Sequence, residues 1–363
     1  MKLHHLFSYQ FVPGKVYNVP DAPNSVLWDI CYLCNQKCNF CYNSDEDIKK
    51  PLPDYNRTRK ILEILCAWGV KEIIYLGGEP TILPYLDEIL ELAKNKGISQ
   101  RLISNGAFVT ESLARKLLSL DVEVGISLHG INGDIHDQIT QTPGSFMKAL
   151  QAISILEDSG AKWYLQYTPM CDEETFFSSI ENLRNRFPSL RLVDVNRLMP
   201  QGRGSDKTEL YQNEESLWKC ISDIPKIKDV GIDVSIESIP HCWIKKRAKQ
   251  AGLPLCCVDK ILKSIRPCYM AINQVAMDDY GRLKLCPGGR ACTESILQVP
   301  PRDLWKNAEP FAQRRQFLFL PKCCINFANG TACKYFYNCG GGCKMTTPTI
   351  YSSSPRCDFL ISS

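Results

Sequence analysis

The 363-residue sequence has no apolar run approaching the roughly 20 residues needed to span a bilayer. Its first residues, MKLHHLFSYQFVPG, also lack the apolar core of a secretory signal. The expectation is a cytoplasmic protein with no membrane partner. Charge of one sign is scarce too: 43 Lys and Arg stand against 39 Asp and Glu, a formal charge of +4. There are no basic runs interleaved with aromatics, which counts against a nucleic-acid partner. Internal repeats and low-complexity linkers are missing as well, and 44% hydrophobic content is enough for one or two sizeable cores.

Cysteine is what the chain has in excess, with 19 residues. Without an export signal, a reducing compartment disfavours a disulfide framework, and a chain of this length does not need one; metal ligation explains the count better. The cysteines fall into two groups, Cys31, Cys34, Cys38 and Cys41, and then Cys242 through Cys357, so two kinds of site are expected. Cys31, Cys66, Cys171, Cys220, Cys242 and Cys292 lack motif partners, and most of them read as small buried hydrophobes.

From about residue 26 to about residue 200, short β-rich runs alternate with longer amphipathic segments. SVLWDICYL, KEIIYLGG, QRLISNG, VEVGISLHG, KWYLQYTP and LRLVDVNRL read as strands. The helices between them include one with Asp54 near its start and Gly69 just past its end, and one opened by Thr110. About six β/α units of ~30 residues imply right-handed crossovers and a parallel sheet curled into a full or partial barrel, with function at the C-terminal ends of the strands. The expected fold class is α/β: a partial (β/α)6 TIM barrel followed by a cysteine-rich iron–sulfur domain. Residues 1–25 are expected to be an N-terminal extension, 26–235 the barrel and 236–363 the cysteine-rich domain, because beyond about 235 the alternation stops and helices become hard to find. The stretch from Cys323 to Cys357 has few large aliphatics and is expected to need bound metal to be ordered.

Cys34, Cys38 and Cys41 have the spacing C-x3-C-x2-C in CNQKCNFC, on the loop leaving the first strand. Three such thiolates can hold three corners of a cubane cluster and leave one iron open. Cys31 would complete a four-cysteine zinc site, but it lies within the strand pattern. With Phe40 just before the last cysteine, the motif resembles that of the radical S-adenosylmethionine (SAM) superfamily. Gly77-Gly78-Glu79-Pro80 looks like the GGEP segment of that family, Ser104-Asn105-Gly106 like the motif ending its third strand, and Ser127 in GISLHG like its fourth-strand serine. The resemblance implies a [4Fe–4S] cluster on Cys34, Cys38 and Cys41. It also implies SAM contacts from Phe40, Gly77, Gly78, Glu79, Pro80, Ser104, Asn105 and Ser127, with Glu79 meeting the cofactor ammonium. Gln166 and Arg197, at the ends of the fifth and sixth strands, are further candidates to face the pocket. His129 reads as a pocket-lining or core residue. The family's arginine about a dozen residues past the serine has no counterpart in DQITQTPG.

In the second group, Cys268 to Cys286 reads C-x12-G-x4-C around Gly281, and Cys333, Cys339 and Cys343 read C-x5-C-x3-C, followed by Cys357. This resembles the SPASM extension of radical enzymes that modify peptides, which houses two auxiliary four-iron clusters. It departs from that pattern at Gly330, where the family has a cysteine. The resemblance implies Cys268, Cys286 and Cys343 on the first auxiliary cluster, with Cys257 or Cys256 as fourth ligand. Cys324 (or Cys323), Cys333, Cys339 and Cys357 would hold the second. Zinc in this module stays an alternative, since thiolate spacing does not tell the metals apart.

The chemistry implied is reductive cleavage of SAM to a 5′-deoxyadenosyl radical that abstracts hydrogen from a precursor peptide, with the auxiliary clusters accepting an electron. A flavodoxin or ferredoxin would supply reductant. Pro287 stands where sulfatase-maturing relatives carry an aspartate base, which argues for a peptide maturase of another kind. The short stretch before the first strand suggests a separate leader-binding adaptor. Asp278, Asp279, Tyr280 and Tyr269 are unsorted acid/base candidates. A non-catalytic electron-transfer protein would have no use for the combined cysteine and GGEP motifs.

Overall fold

The computed structural model describes residues 19–312 and 315, apart from 131, 169–175, 200, 206–213 and 238. Cys171, Cys323, Cys324, Cys333, Cys339, Cys343 and Cys357 lie outside the described residues, as does most of the N-terminal extension.

The expected alternation is present. Strands β1 (Ser25–Cys31), β2 (Glu72–Gly77), β3 (Ser99–Ser104), β4 (Glu123–Leu128), β5 (Trp163–Tyr167) and β6 (Leu192–Val195) pair in sequence order, all parallel. Helices α1 (Tyr55–Trp68), α2 (Leu86–Asn95), α3 (Glu111–Ser119), α4 (Gly133–Thr140), α5 (Ser145–Ser159) and α6 (Phe176–Arg186) fill the crossovers. Asp54 caps α1 by accepting from the Asn56 and Arg57 amides, and Gly69 ends it at φ 96°, a left-handed value that suits glycine. Thr110 caps α3 through the Leu113 amide.

The two faces of the sheet differ. Val124, Ile126, Leu128, Leu165 and Tyr167 are fully buried on the helix side, where Tyr167 packs on Phe176 of α6 and Trp163 donates to Glu157 of α5. The alternate positions carry Asp29, Glu72, Arg101, Gln166 and Asp194, the inner face of the curl. Side chains fill this inner face closely: a Cβ on Gly125 would stand 2.8–2.9 Å from Ile103, Tyr164 and Gln166.

The sheet continues past the sixth unit. Helix α7 (Glu214–Asp229) leads to β7 (Asp233–Glu237), then α8 (His241–Gln250) and α9 (Leu255–Ser264) lead to the two-residue β8 (Ile265–Arg266). Strand β9 (Gln274–Met277) then lies parallel to β1 on its other side, followed by the antiparallel β10 (Arg282–Lys284) and β11 (Ala291–Ser295) and by α10 (Pro301–Asn307). The order is β11-β10-β9-β1-β2-β3-β4-β5-β6-β7-β8. In that order β8 and β9 are eight strand steps apart, roughly 38 Å on a flat sheet. The seven residues between Arg266 and Gln274 reach about 28 Å at full extension, so the sheet must curl to bring its edges together.

Two expectations need correction. A boundary at 235 falls inside β7, and helices occupy 241–264, where the sequence offers little helical signal. Pro240 and Pro254 stand immediately before α8 and α9, at positions that tolerate proline. The start of the cysteine-rich region is also built into the barrel's own sheet, with Trp28 opposite Met277. Among the described residues, no helix is long and apolar enough to cross a membrane.

A buried ion pair joins this added hairpin to β1: Lys284 Nζ is 2.8 Å from Asp29 Oδ2, with side chains 6% and 1% exposed. Burial pushes the Asp29 carboxyl up and Lys284 opposes it. Lys284→Met should therefore leave an uncompensated buried carboxylate and cost about 3–5 kcal/mol, read as a lower urea midpoint at neutral pH. Adding Asp29→Asn to that variant should restore part of the loss. Asp279, on the β9–β10 turn, is held at about 6 by burial and by Asp278, above its unfolded value. The folded state then binds the extra proton, so stability should fall as pH rises through about 6; Asp279→Asn should flatten that slope in a denaturation series.

Candidate active site

The segment from Tyr32 to Asn43 has no regular structure, so its backbone groups must find partners elsewhere. Several turns supply them. After β2, the Gly78 amide donates to the Cys31 carbonyl at 2.7 Å and the Glu79 amide to the Leu33 carbonyl at 2.9 Å. At the end of α4, the Ile139 and Thr140 carbonyls accept from the Asn39 and Lys37 amides. After β6, the Arg203 and Gly204 amides donate to the Cys41 carbonyl at 2.9 and 3.3 Å. Asn105 after β3 donates to Asn35 at 2.8 Å, and Asn43 to the Gly77 carbonyl at 3.3 Å.

Gly77 and Gly78 are required by contact. A Cβ on Gly77 would sit 2.0 Å from the Cys31 carbonyl oxygen, and one on Gly78 2.1 Å from that of Leu33; Gly77 also has φ 131°. Pro80 opens a 3-10 turn behind them. Glu79 is 1% exposed, and its carboxylate accepts from the Thr81 amide and hydroxyl, the Ser104 hydroxyl at 2.8 Å and the Asn105 amide at 2.7 Å. Three of those donors fall on Oε1 and one, the Asn105 amide, on Oε2. Glu79 thus ties the β2 and β3 turns together, with a single donor on Oε2.

Cys34, Cys38 and Cys41 are half-buried on this loop. Burial pushes the Cys34 thiol up to about 12 and raises Cys38 and Cys41 as well. The Arg203 guanidinium opposes the rise at all three, and the Gln36 amide, 3.4 Å from Cys34 Sγ, also opposes it at Cys34. Thiols in such a place become thiolates on binding a metal. Three soft donors on a loop that backbone and glycine contacts hold from several sides fit an iron–sulfur cluster. Cys31 is fully buried in β1, and its thiol donates to the Glu79 carbonyl at 3.5 Å. Among the described residues, no three His, Cys, Asp or Glu side chains converge on a single-ion site.

The aromatic Phe40 packs edge-on against His129, with ring centroids 4.6 Å apart, and His129 stacks on His136. Burial keeps both imidazoles neutral, His136 at about 4 and His129 well below its usual value. Ser127 lies opposite Gln166 at the ends of β4 and β5. Gln166 Nε2 donates to Asp194 Oδ2 at 3.1 Å, Asp194 pairs with Arg266, and Gln166 Oε1 is buried without a hydrogen-bond partner.

Gly281, the glycine of C-x12-G-x4-C, makes the β9–β10 turn at φ 76°. Asp278 builds the same turn, accepting from the Tyr280 and Arg282 amides and from Arg282 Nε, while Asp279 faces Arg57. Cys286 follows β10, Cys268 precedes β9, and Cys256 and Cys257 lie on α9. A cavity of about 220 Å³ separates the cysteine loop from this hairpin, lined by Tyr42, Asn43, Lys284, Pro287 and Gly288 among others. The sequence motifs do not point to Arg203, Asn35, Asn43 or the Asp29–Lys284 pair. A lone arginine between two glycines looks like an ordinary turn, and a pairing 255 positions apart leaves no local trace.

Residues 29–190 match the radical SAM superfamily. Among similar proteins, an AdoMet-dependent heme synthase of Methanosarcina barkeri is 22% identical over 81% of this chain and 85% of its own length. The mycofactocin maturase MftC of Mycobacterium ulcerans is 24% identical over 89% of this chain and 83% of its own. An Fe-coproporphyrin III synthase of M. barkeri is 30% identical over 61% and 57%. In structure, Streptococcus suis SuiB aligns with a TM-score of 0.67 at 15% identity, covering 91% of this chain and 74% of its own. The protein anSMEcpe, solved with AdoMet and the Cp18Cys peptide, aligns at 0.64 and 16%, covering 88% and 89%. These structures share the partial-barrel fold.

Glu79→Gln would set an amide NH2 against donors already pointing at that position. It should cost about 1–3 kcal/mol, seen as a lower denaturant midpoint with an unchanged m-value.

Proposed function

As a member of the radical SAM superfamily, this chain is an enzyme that works with a [4Fe–4S] cluster and SAM, and from that premise we propose that it oxidatively modifies a precursor peptide. The observation that carries the reading is the clamped Cys34/Cys38/Cys41 loop at the C-terminal mouth of the barrel, beside a hairpin that leads to Cys286. In this reading the three thiolates hold the cluster, and the bound pair supplies one-electron cleavage of the sulfonium and hence a radical for hydrogen abstraction. The protein's own residues do the rest. Gly77 and Gly78 let backbone approach closely, Ser104, Asn105 and Ser127 line the cofactor side, and Phe40 and neutral His129 exclude water. Gln166, whose Oε1 is buried without a partner, is proposed to meet the bound cofactor or substrate. Cys257, Cys268, Cys286, Cys324, Cys333, Cys339, Cys343 and Cys357 are proposed for the auxiliary clusters, with flavodoxin or ferredoxin as reductant and a leader-binding adaptor as partner.

Support for a peptide substrate comes from the maturase relatives and from SuiB, which was solved bound to its precursor peptide SuiA. A second reading, a porphyrin substrate, is favoured by the heme synthase and Fe-coproporphyrin III synthase relatives.

Iron and acid-labile sulfide should be about 12 per chain after anaerobic purification and about 8 in a Cys34/Cys38/Cys41→Ala variant. A fall from about 8 to about 4 would mean one auxiliary site is missing, and iron unchanged in the variant would overturn the reading. Production of 5′-deoxyadenosine should rise with peptides encoded beside the gene and stay at background with Fe-coproporphyrin III; the reverse would establish the porphyrin reading.

A further inference from the structure

The turn after β6, Gly202–Gly204, lies flat on the cysteine loop. A Cβ on Gly202 would meet the Tyr42 carbonyl oxygen at 2.3 Å, and one on Gly204 the Phe40 carbonyl oxygen at 2.7 Å. With both amides of the Arg203–Gly204 pair on the Cys41 carbonyl, Arg203 is placed by backbone contact and glycine packing. Its side chain is 11% exposed. One end reaches Asp45 at 3.2 Å, on a carboxylate 69% exposed to water, while Nε is buried with no oxygen or nitrogen partner. A buried guanidinium donor left without an oxygen acceptor is costly unless another anion faces it.

Resting on the cluster assignment above, we propose that Arg203 is the built-in counter-charge of the Cys34/Cys38/Cys41 cluster, raising its reduction potential and so making electron entry easier. A four-iron cluster with three thiolates is already anionic. It takes one further electron, from [4Fe–4S]2+ to [4Fe–4S]+, from an external reductant, into a site with little water to screen the added charge. A fixed cation beside the thiolates stabilises the reduced state more than the oxidised one. The Asp45 carboxylate, 69% exposed, offsets part of that charge.

The test is anaerobic potentiometric titration followed by EPR. The signal to follow is the one that disappears in the Cys34/Cys38/Cys41→Ala variant; if none disappears, the cluster assignment itself fails. Arg203→Met should shift that midpoint to more negative potential at equal iron content, and Arg203→Lys should stay near wild type. Equal midpoints for wild type and Arg203→Met would overturn the proposal. If Arg203→Met takes up no iron on reconstitution, the decision passes to Asp45→Asn, which keeps the arginine. A shift to more positive potential supports the counter-charge role, and no shift overturns it.

Discussion

The structure depends on keeping an irregular loop in place at the mouth of a barrel. The twelve residues from Tyr32 to Asn43 pair with no strand or helix of their own, and bare backbone in a half-buried place is unstable unless its N–H and C=O groups are satisfied. Partners come from turns at the ends of β2, β3 and β6 and from the last carbonyls of α4. A parallel barrel is suited to this, because every strand ends on the same rim and each following turn can contribute a donor or acceptor. The glycines at 77, 78, 202 and 204 follow from the same requirement: turns that donate backbone hydrogen bonds to another backbone must come closer than a Cβ allows.

Much of this was legible in the sequence, for local reasons. Asp54 and Gly69 bracket α1 because capping depends on residues within one turn, and the strand runs show the β-branched character of a covered parallel sheet. The close spacing of Cys34, Cys38 and Cys41 is itself a local signal. What did not show was non-local or too short. Strand β8 has two residues and β9 has four, below any window that reveals alternation, and each forms on a strand already in place, β8 on β7 and β9 on β1. The partners that orient Glu79 were hidden for a similar reason. Its residue type suggests a carboxylate for a cation, and nothing local marks Ser104 and the Asn105 amide, on the next strand's turn, as donors that hold it.

The charge arrangement on the inner face of the sheet bears on which substrate the proposed chemistry would meet. Its charges are matched in place: Arg101 with Glu72, Arg266 with Asp194, and Lys284 with Asp29. A buried pair presents little net field, so the lumen is polar without a dominant charge of either sign. Gln166 sits among these groups. Its Nε2 faces the Asp194 carboxylate, which can only accept, and its Oε1 is buried without a partner. A face with paired cations and an unsatisfied buried amide oxygen would suit a substrate that donates N–H groups, as a peptide backbone does. A substrate anchored through several carboxylates would have to draw an arginine away from its carboxylate partner and leave that partner buried. The physical chemistry of this face therefore weighs on the peptide side of the two readings.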